Sequence, residues 1–185
     1  MIKDKRGSAS ITVLVYAFAM FALFAMVADV FWLYNAKIYV RHSLNLALKA
    51  ACTQIDTTVL QDPNNPRIVI KPTEAQQSFY NTLRTNLRTD SLNNPQASSI
   101  ISGPFEVVYF KVVNSNEVPF IYSYTYPYGV YTETITEPGA TAIIKVPIKL
   151  TGFMRVAVPS ASTTSYIYIH STVSPKIISK HLEDI

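Results

Sequence analysis

The stretch from Ile11 to Tyr34, ITVLVYAFAMFALFAMVADVFWLY, carries a single formal charge, Asp29. As a helix, its uncharged part from Ile11 to Ala28 spans roughly 27 Å, close to a hydrocarbon core of about 30 Å. Lipid offers the backbone no hydrogen-bond partners, so a lone spanning segment is helical. Lys3, Lys5 and Arg6, against Asp4 alone, precede it, and the cytoplasmic end of a span is the end enriched in Lys and Arg. The expectation is a single-pass protein of the cytoplasmic membrane, with its N-terminus inside and its C-terminal domain outside. Trp32 and Tyr34 fall where an outer aromatic belt is expected.

The helical pattern does not stop at the membrane. Leu33, Ala36, Val40, Leu44, Ala47, Leu48, Ala51 and Ile55 follow one another at steps of mostly three and four, which puts them in one apolar stripe. Lys37, Arg41, Asn45 and Lys49 fall between them at steps of four, as a solvated or partner-facing side would. No Gly or Pro occurs between Ser8 and Asp56. The economical reading is one helix roughly 70 Å long, apolar all round in its first half and amphipathic in its second.

A basic leader ending in Lys5-Arg6-Gly7, an apolar run ending in Ala28-Asp29, then Leu33-Tyr34-Asn35-Ala36, Leu44, Ala47-Leu48 and Ala50-Ala51 together resemble the N-terminus of type IV pilin-like proteins. More narrowly, they resemble the TadE/TadG-like branch associated with tight-adherence (Flp-type) pilus assembly. The resemblance covers about the first fifty residues. It implies that a membrane-embedded peptidase cuts after Gly7 and leaves Ser8 as the mature N-terminus. Pilins usually carry Glu five residues into the mature chain; Thr12 stands there, which suits a minor or accessory subunit better than a major one. TadE-like proteins often have Asp at the place of Asp29. Two readings of that residue stay open: hydration at the outer interface, or pairing in an assembled bundle with a cation such as Lys37 of a neighbour.

A chain of 185 residues holds this anchor and one outer domain of roughly 130 residues, large enough for its own core. The organisation expected is a leader over 1–10, a transmembrane segment over 11–34, its amphipathic continuation over 35–56 and an extracytoplasmic domain over 57–185. A cleaved secretory signal is the rival reading of the N-terminus, but a cut after Ala28 would put Met26 where a small residue is wanted. The net charge of +4 is scattered, with no basic cluster interleaved with stacking aromatics, so nucleic acid is not an expected partner. The single cysteine, Cys52, excludes an intramolecular disulfide and suits a small buried residue.

Beyond the rod, Asp62-Pro63-Asn64-Asn65-Pro66 is turn chemistry and Arg67–Lys71 a short β-like run within a connector. Thr73 and Gln76 form a candidate capping box for a second helix over Glu74–Thr89, with Phe79, Leu83 and Leu87 on its apolar face. After Ser102-Gly103-Pro104 the composition turns to Val, Ile, Tyr, Phe and Thr. Strands are expected over Phe105–Val113, Val118–Tyr126, Val130–Thr136, Ala142–Thr151 and Thr164–Val173. Their short connections predict an antiparallel meander. In the fourth, Ile144, Val146, Ile148 and Leu150 alternate with Lys145, Pro147 and Lys149, which predicts one wet face, and Pro147 argues for an edge or a bulge. Its apolar face needs a cover, and the outer half of the long helix supplies one through Leu44, Leu48 and Ile55. The expected fold is α+β and pilin-like. A long N-terminal transmembrane helix continues into an amphipathic half packed on an antiparallel β-sheet, with a second short helix.

Phe120, Tyr122, Tyr124, Tyr126 and Tyr128 place aromatics at every second residue and hence on one strand face. Tyr122, Tyr124 and Tyr126 are either a recognition surface or a core face with hydroxyls at its rim. His42, His170 and His181 are not spaced as metal ligands. There is no G-x-S-x-G, P-loop or dinucleotide fingerprint, so no enzyme, cofactor, metal or small-molecule substrate is expected. Any of Glu106, Glu117, Glu133 and Glu137 could still meet in space. The expected function is a membrane-anchored pilin-like accessory subunit, whose partners are the bilayer, other pilin-like subunits and a pilus or secretion platform. It would remain in the membrane or be built into a cell-surface filament. The alternative is a solitary tethered module that recognises a wall polymer or a protein.

Overall fold

With no Gly or Pro beyond Gly7 in its first turn to break its ladder, the N-terminal segment forms one helix, α1 (Lys5–Cys52), of 48 residues, roughly 72 Å long. The computed structural model describes residues 5–65, 67–127, 129–149 and 164–175. The two halves of α1 have opposite surroundings. From Ile11 to Phe31 the large apolar side chains are exposed, and α1 is the one helix among the described residues long and apolar enough to cross a membrane. Further along, Ala36, Val40, Leu44, Ala47, Leu48 and Ala51 are completely buried against the rest of the chain, with Trp32, Leu33 and Ile55 packed half-buried on the same core. Full burial of each Leu contributes about 1.5–3 kcal/mol.

After α1 come a single turn, α2 (Thr57–Leu60), capped by the Asp56 carboxylate on Thr58 N, and α3 (Pro72–Leu87). The connector between them forms one bridge, Ile55 with Ile70, in place of an edge strand. The predicted capping box does not form. Lys71 occupies the N-cap without a side-chain bond, and Pro72, whose missing N–H costs nothing in the first turn, starts the helix ahead of Thr73. At the other end Arg88 adopts φ 54° and closes α3 at Leu87, short of the expected Thr89. Ala75, Phe79, Leu83 and Leu87 are buried. Ser78 Oγ donates to Ala50 O at 3.1 Å and Tyr39 Oη donates to Asn86 O, so α3 runs antiparallel to the outer half of α1.

Five strands follow: β1 (Glu106–Val113), β2 (Phe120–Tyr126), β3 (Gly129–Ile135), β4 (Gly139–Lys149) and β5 (Thr164–Val173). All pairings are antiparallel, but they do not form a single meander. β1, β4 and β5 make a three-stranded sheet in that order, while β2 and β3 form a separate hairpin. The expected strand positions hold to within a few residues; of the pairings a meander requires, β2–β3 and β4–β5 form, while β1 pairs with β4 and not with β2.

β4 is the central strand, not an edge. Ala140, Ala142, Ile144, Val146 and Ile148 face the helices in the main core, and Ile143 on the opposite face is buried with Val113, Tyr122 and Ile135 of a second core. The hairpin covers this face around Ile143, while Lys145, on the part predicted to be wet, stays half-exposed beside Glu106. Pro147 is tolerated because of where β1 ends. The last β1 partner along β4 is Glu106, opposite Lys145; beyond it Pro147 O accepts from Ser102 N at 2.9 Å. In an antiparallel strand N and O of one residue point the same way, so the missing donor faces the side that β1 has already left. Leu150 lies outside the described residues. The chain thus forms three layers: helices, a three-stranded sheet, and the β2–β3 hairpin.

Candidate functional site

The hairpin's inner face carries the aromatic run. Its turn pairs Tyr126 with Gly129, and from there the register places Tyr124 opposite Tyr131, Tyr122 opposite Glu133 and Phe120 opposite Ile135. Gly129 has φ 150°, a conformation open to a residue without Cβ. On the sheet below, Thr141 of β4 is the partner of Thr172 of β5, and Ile143 is the partner of His170. Folding hairpin onto sheet therefore brings two polar pairs and a ring of aromatics together.

The polar groups meet at Glu133. Its Oε2 accepts from Tyr122 Oη at 3.0 Å and from Thr172 Oγ1 at 2.6 Å, and lies 3.1 Å from His170 Nε2. Thr141 Oγ1 stands 3.1 Å from Tyr122 Oη and 2.9 Å from Thr172 Oγ1. With Tyr122 and Thr172 both donating to the carboxylate, the Thr141 hydroxyl completes the network, which joins β2, β3, β4 and β5. Burial raises the Tyr122 phenol well above its ordinary range, and the neighbouring Glu133 carboxylate adds to the effect. Tyr131 shifts upward for the same two reasons. The node holds the hairpin down through donors committed to one another.

Beside the node, Tyr124, Tyr126, Tyr131, Ile143, Tyr168 and His170 line a cleft of about 230 Å³. Tyr126 stacks with Tyr124 at 6.4 Å between centroids and with Tyr168, also at 6.4 Å, while Tyr131 leans on the His170 ring at 4.1 Å. Flat apolar walls with hydroxyls and an imidazole at the edge can stack a ring and hydrogen-bond its substituents. The predicted aromatic stripe is thereby divided. Tyr122 belongs to the buried second core, whereas Tyr124 and Tyr126 are half-buried cleft walls. Tyr128 lies outside the described residues.

The four glutamates do not converge. Glu106 pairs with Lys145 at 3.3 Å and Glu117 with Lys111 at 2.9 Å, while Glu137 lines an open cleft near Lys49 and Cys52. The backbone N–H of Asn114 and the Lys111 ammonium hold the Glu117 carboxyl below its usual range. Glu133, Thr141, His170 and Thr172 were not among the predicted site residues. Counting back from the turn would have paired Tyr122 with Glu133, but only the long-range β4–β5 register adds the other three.

Of the residues predicted for the membrane boundary, Tyr34 and Lys37 are exposed and Trp32 packs on the head. Asp29 is 8% exposed. Gly7, Ser8 and Thr12 lie within α1. Leu44 and Leu48 are buried where α1 meets β4, β5 and α3. His181 lies outside the described residues. Comparison with family models, with curated proteins and with solved structures finds no match.

Proposed function

We propose that this chain is a membrane-anchored, pilin-like accessory (minor) subunit of a tight-adherence or type IV pilus-like assembly. It acts structurally, through helix packing and an exposed β-rich domain, without catalysis. The observation that carries this reading is the continuity of α1, which joins an exposed apolar half to a docked half without a joint. Such a rod transmits the position of a neighbour in the membrane directly to the head. Ala17, Ala19, Ala22, Ala25 and Ala28 allow close approach of a second helix. On the docked half, Tyr34 and Ile38 remain exposed and available to a neighbouring subunit. The leader lies inside, and Gly7-Ser8 is the processing point.

Intact-mass measurement of the chain from native membranes, paired with cross-linking of copies, tests this. A mature chain beginning at Ser8 and cross-links that disappear in Ile38→Asp at equal abundance are expected. A chain cut after Ala28 overturns the reading.

The aromatic cleft between Tyr126 and Tyr168 favours a second reading, a tethered module binding a wall glycan or a protein loop. An uncut chain without cross-linked copies, whose tyrosine fluorescence responds to soluble glycan fragments, would favour it over the first.

A further inference from the structure

A rigid α1 also fixes which end of the head faces the lipid. Tyr39, five residues past Tyr34, receives the C-terminal end of α3 through Asn86. Five residues are about 7.5 Å of helix, no more than the thickness of one headgroup layer. The loop after α3 therefore sits just above the aromatic level of the span. That loop is a tight projection: Thr89 bridges Pro95, and Asp90 Oδ1 accepts from Leu92 N and Asn94 N, both at 2.8 Å. At its tip Leu92 is 75% exposed.

A single exposed leucine is ordinary on a soluble surface. Here it stands at the one end of the head that adjoins a bilayer, beside cations. Arg84 and Arg88 line an open polar cleft of about 500 Å³ with Thr85, Asp90 and Ser91, and Lys37 of α1 is exposed at the same level. Arg84 is held by Nε donating to Asn93 Oδ1 at 2.9 Å and by its plane over Tyr80. The helix-end carbonyls that would repel an anion already accept bonds. Arg84 O takes Thr89 N, Asn86 O takes Tyr39 Oη and Leu87 O takes Ser99 Oγ. The Asp90 charge is likewise engaged by loop amides.

We infer that the Arg88–Asn94 loop is a membrane-contact site, with Leu92 entering the headgroup layer and Arg84 and Arg88 binding the phosphates of anionic phospholipids. This rests on α1 spanning the bilayer, as proposed above. The contact would hold the head upright on the membrane and set which side of α1 faces a partner.

The test uses the full chain in nanodiscs containing phosphatidylglycerol, with one nitroxide per protein on Leu92→Cys, Asn64→Cys or Val15→Cys. Cys52, 3% exposed and bonded to Val173 O, should label far more slowly than these exposed sites. Asn64, beyond the outer end of α1, is the aqueous reference, and Val15 reports the span. The label at 92 is expected to shift toward oxygen over aqueous nickel-complex accessibility relative to 64. It should move back toward the aqueous value in Arg84→Gln/Arg88→Gln or in phosphatidylcholine alone. A label at 92 as aqueous as 64, with 15 in the hydrocarbon, overturns the contact and leaves the span standing. A label at 15 in water overturns both. Depth at 92 unchanged by the arginine exchange or by phosphatidylcholine overturns phosphate binding.

Discussion

The Cys52 thiol donates to the carbonyl oxygen of Val173 at 3.2 Å, tying the last residue of α1 to the last residue of β5. Burial pushes this thiol up from 9.0 to about 11, partly offset by a backbone hydrogen bond at Ala140. The fold therefore favours the neutral form. Its contribution is complete below about pH 9 and is lost as pH rises through about 11. Cys52→Ala should cost about 1 kcal/mol or more near neutrality, where a buried hydrogen bond is removed. The gap to the parent should narrow as pH climbs through that window. Urea unfolding of both proteins from pH 7 to 11 checks it, and a constant gap would contradict it.

The same junction makes Gly139 intolerant. A Cβ there would meet Val173 O at 2.3 Å, a backbone atom of a paired strand that cannot swing aside. Gly139→Ala should destabilise by about 1–3 kcal/mol, as overpacking does. It should also raise the alkylation rate of Cys52, whose acceptor it displaces. Thermal unfolding and thiol labelling give the two readouts.

Leu44 and Leu48 are the points at which rod and head share one core. Leu48→Ala should cost about 2–5 kcal/mol. Leu44→Asp should unfold the head while the anchor stays inserted. Limited proteolysis in membranes reports both, and a Leu44→Asp head as resistant as the parent would mean that the head packs independently of α1.

At the hairpin, Glu133→Ala removes the acceptor shared by Tyr122 and Thr172. A loss of about 1–3 kcal/mol is expected, since the Tyr122 hydroxyl is left with fewer partners in a buried place. Glu133→Gln, which keeps an acceptor oxygen, should lose less. Hydrogen exchange should localise the effect to β2 and β3, with α1 and α3 unchanged.

Much of this arrangement could be read from local pattern, and all but one of the failures share a cause. The stripe from Ala36 to Ala51 announced a helix with one buried side, and the five runs of Val, Ile, Tyr and Thr announced strands, because both depend on neighbours in sequence. Which strand lies beside which depends on loop closure across tens of residues. Hence Pro147 was expected at an edge or a bulge although β4 is central, and nothing local showed that Thr141 would reach Tyr122 or that Thr172 would reach Glu133. Thr73 offered a capping box that Pro72 pre-empted by starting the helix two residues before the expected Glu74.

The continuity of α1 across Asn35 is the point on which the account turns, and hydrogen exchange of the full chain in nanodiscs measures it most directly. Amides from Asp29 to Val40 should exchange slowly and as one unit with the buried stretch Leu44–Ala51. Fast, separate exchange around Asn35, with the head still protected, would contradict the account by placing a joint between anchor and head.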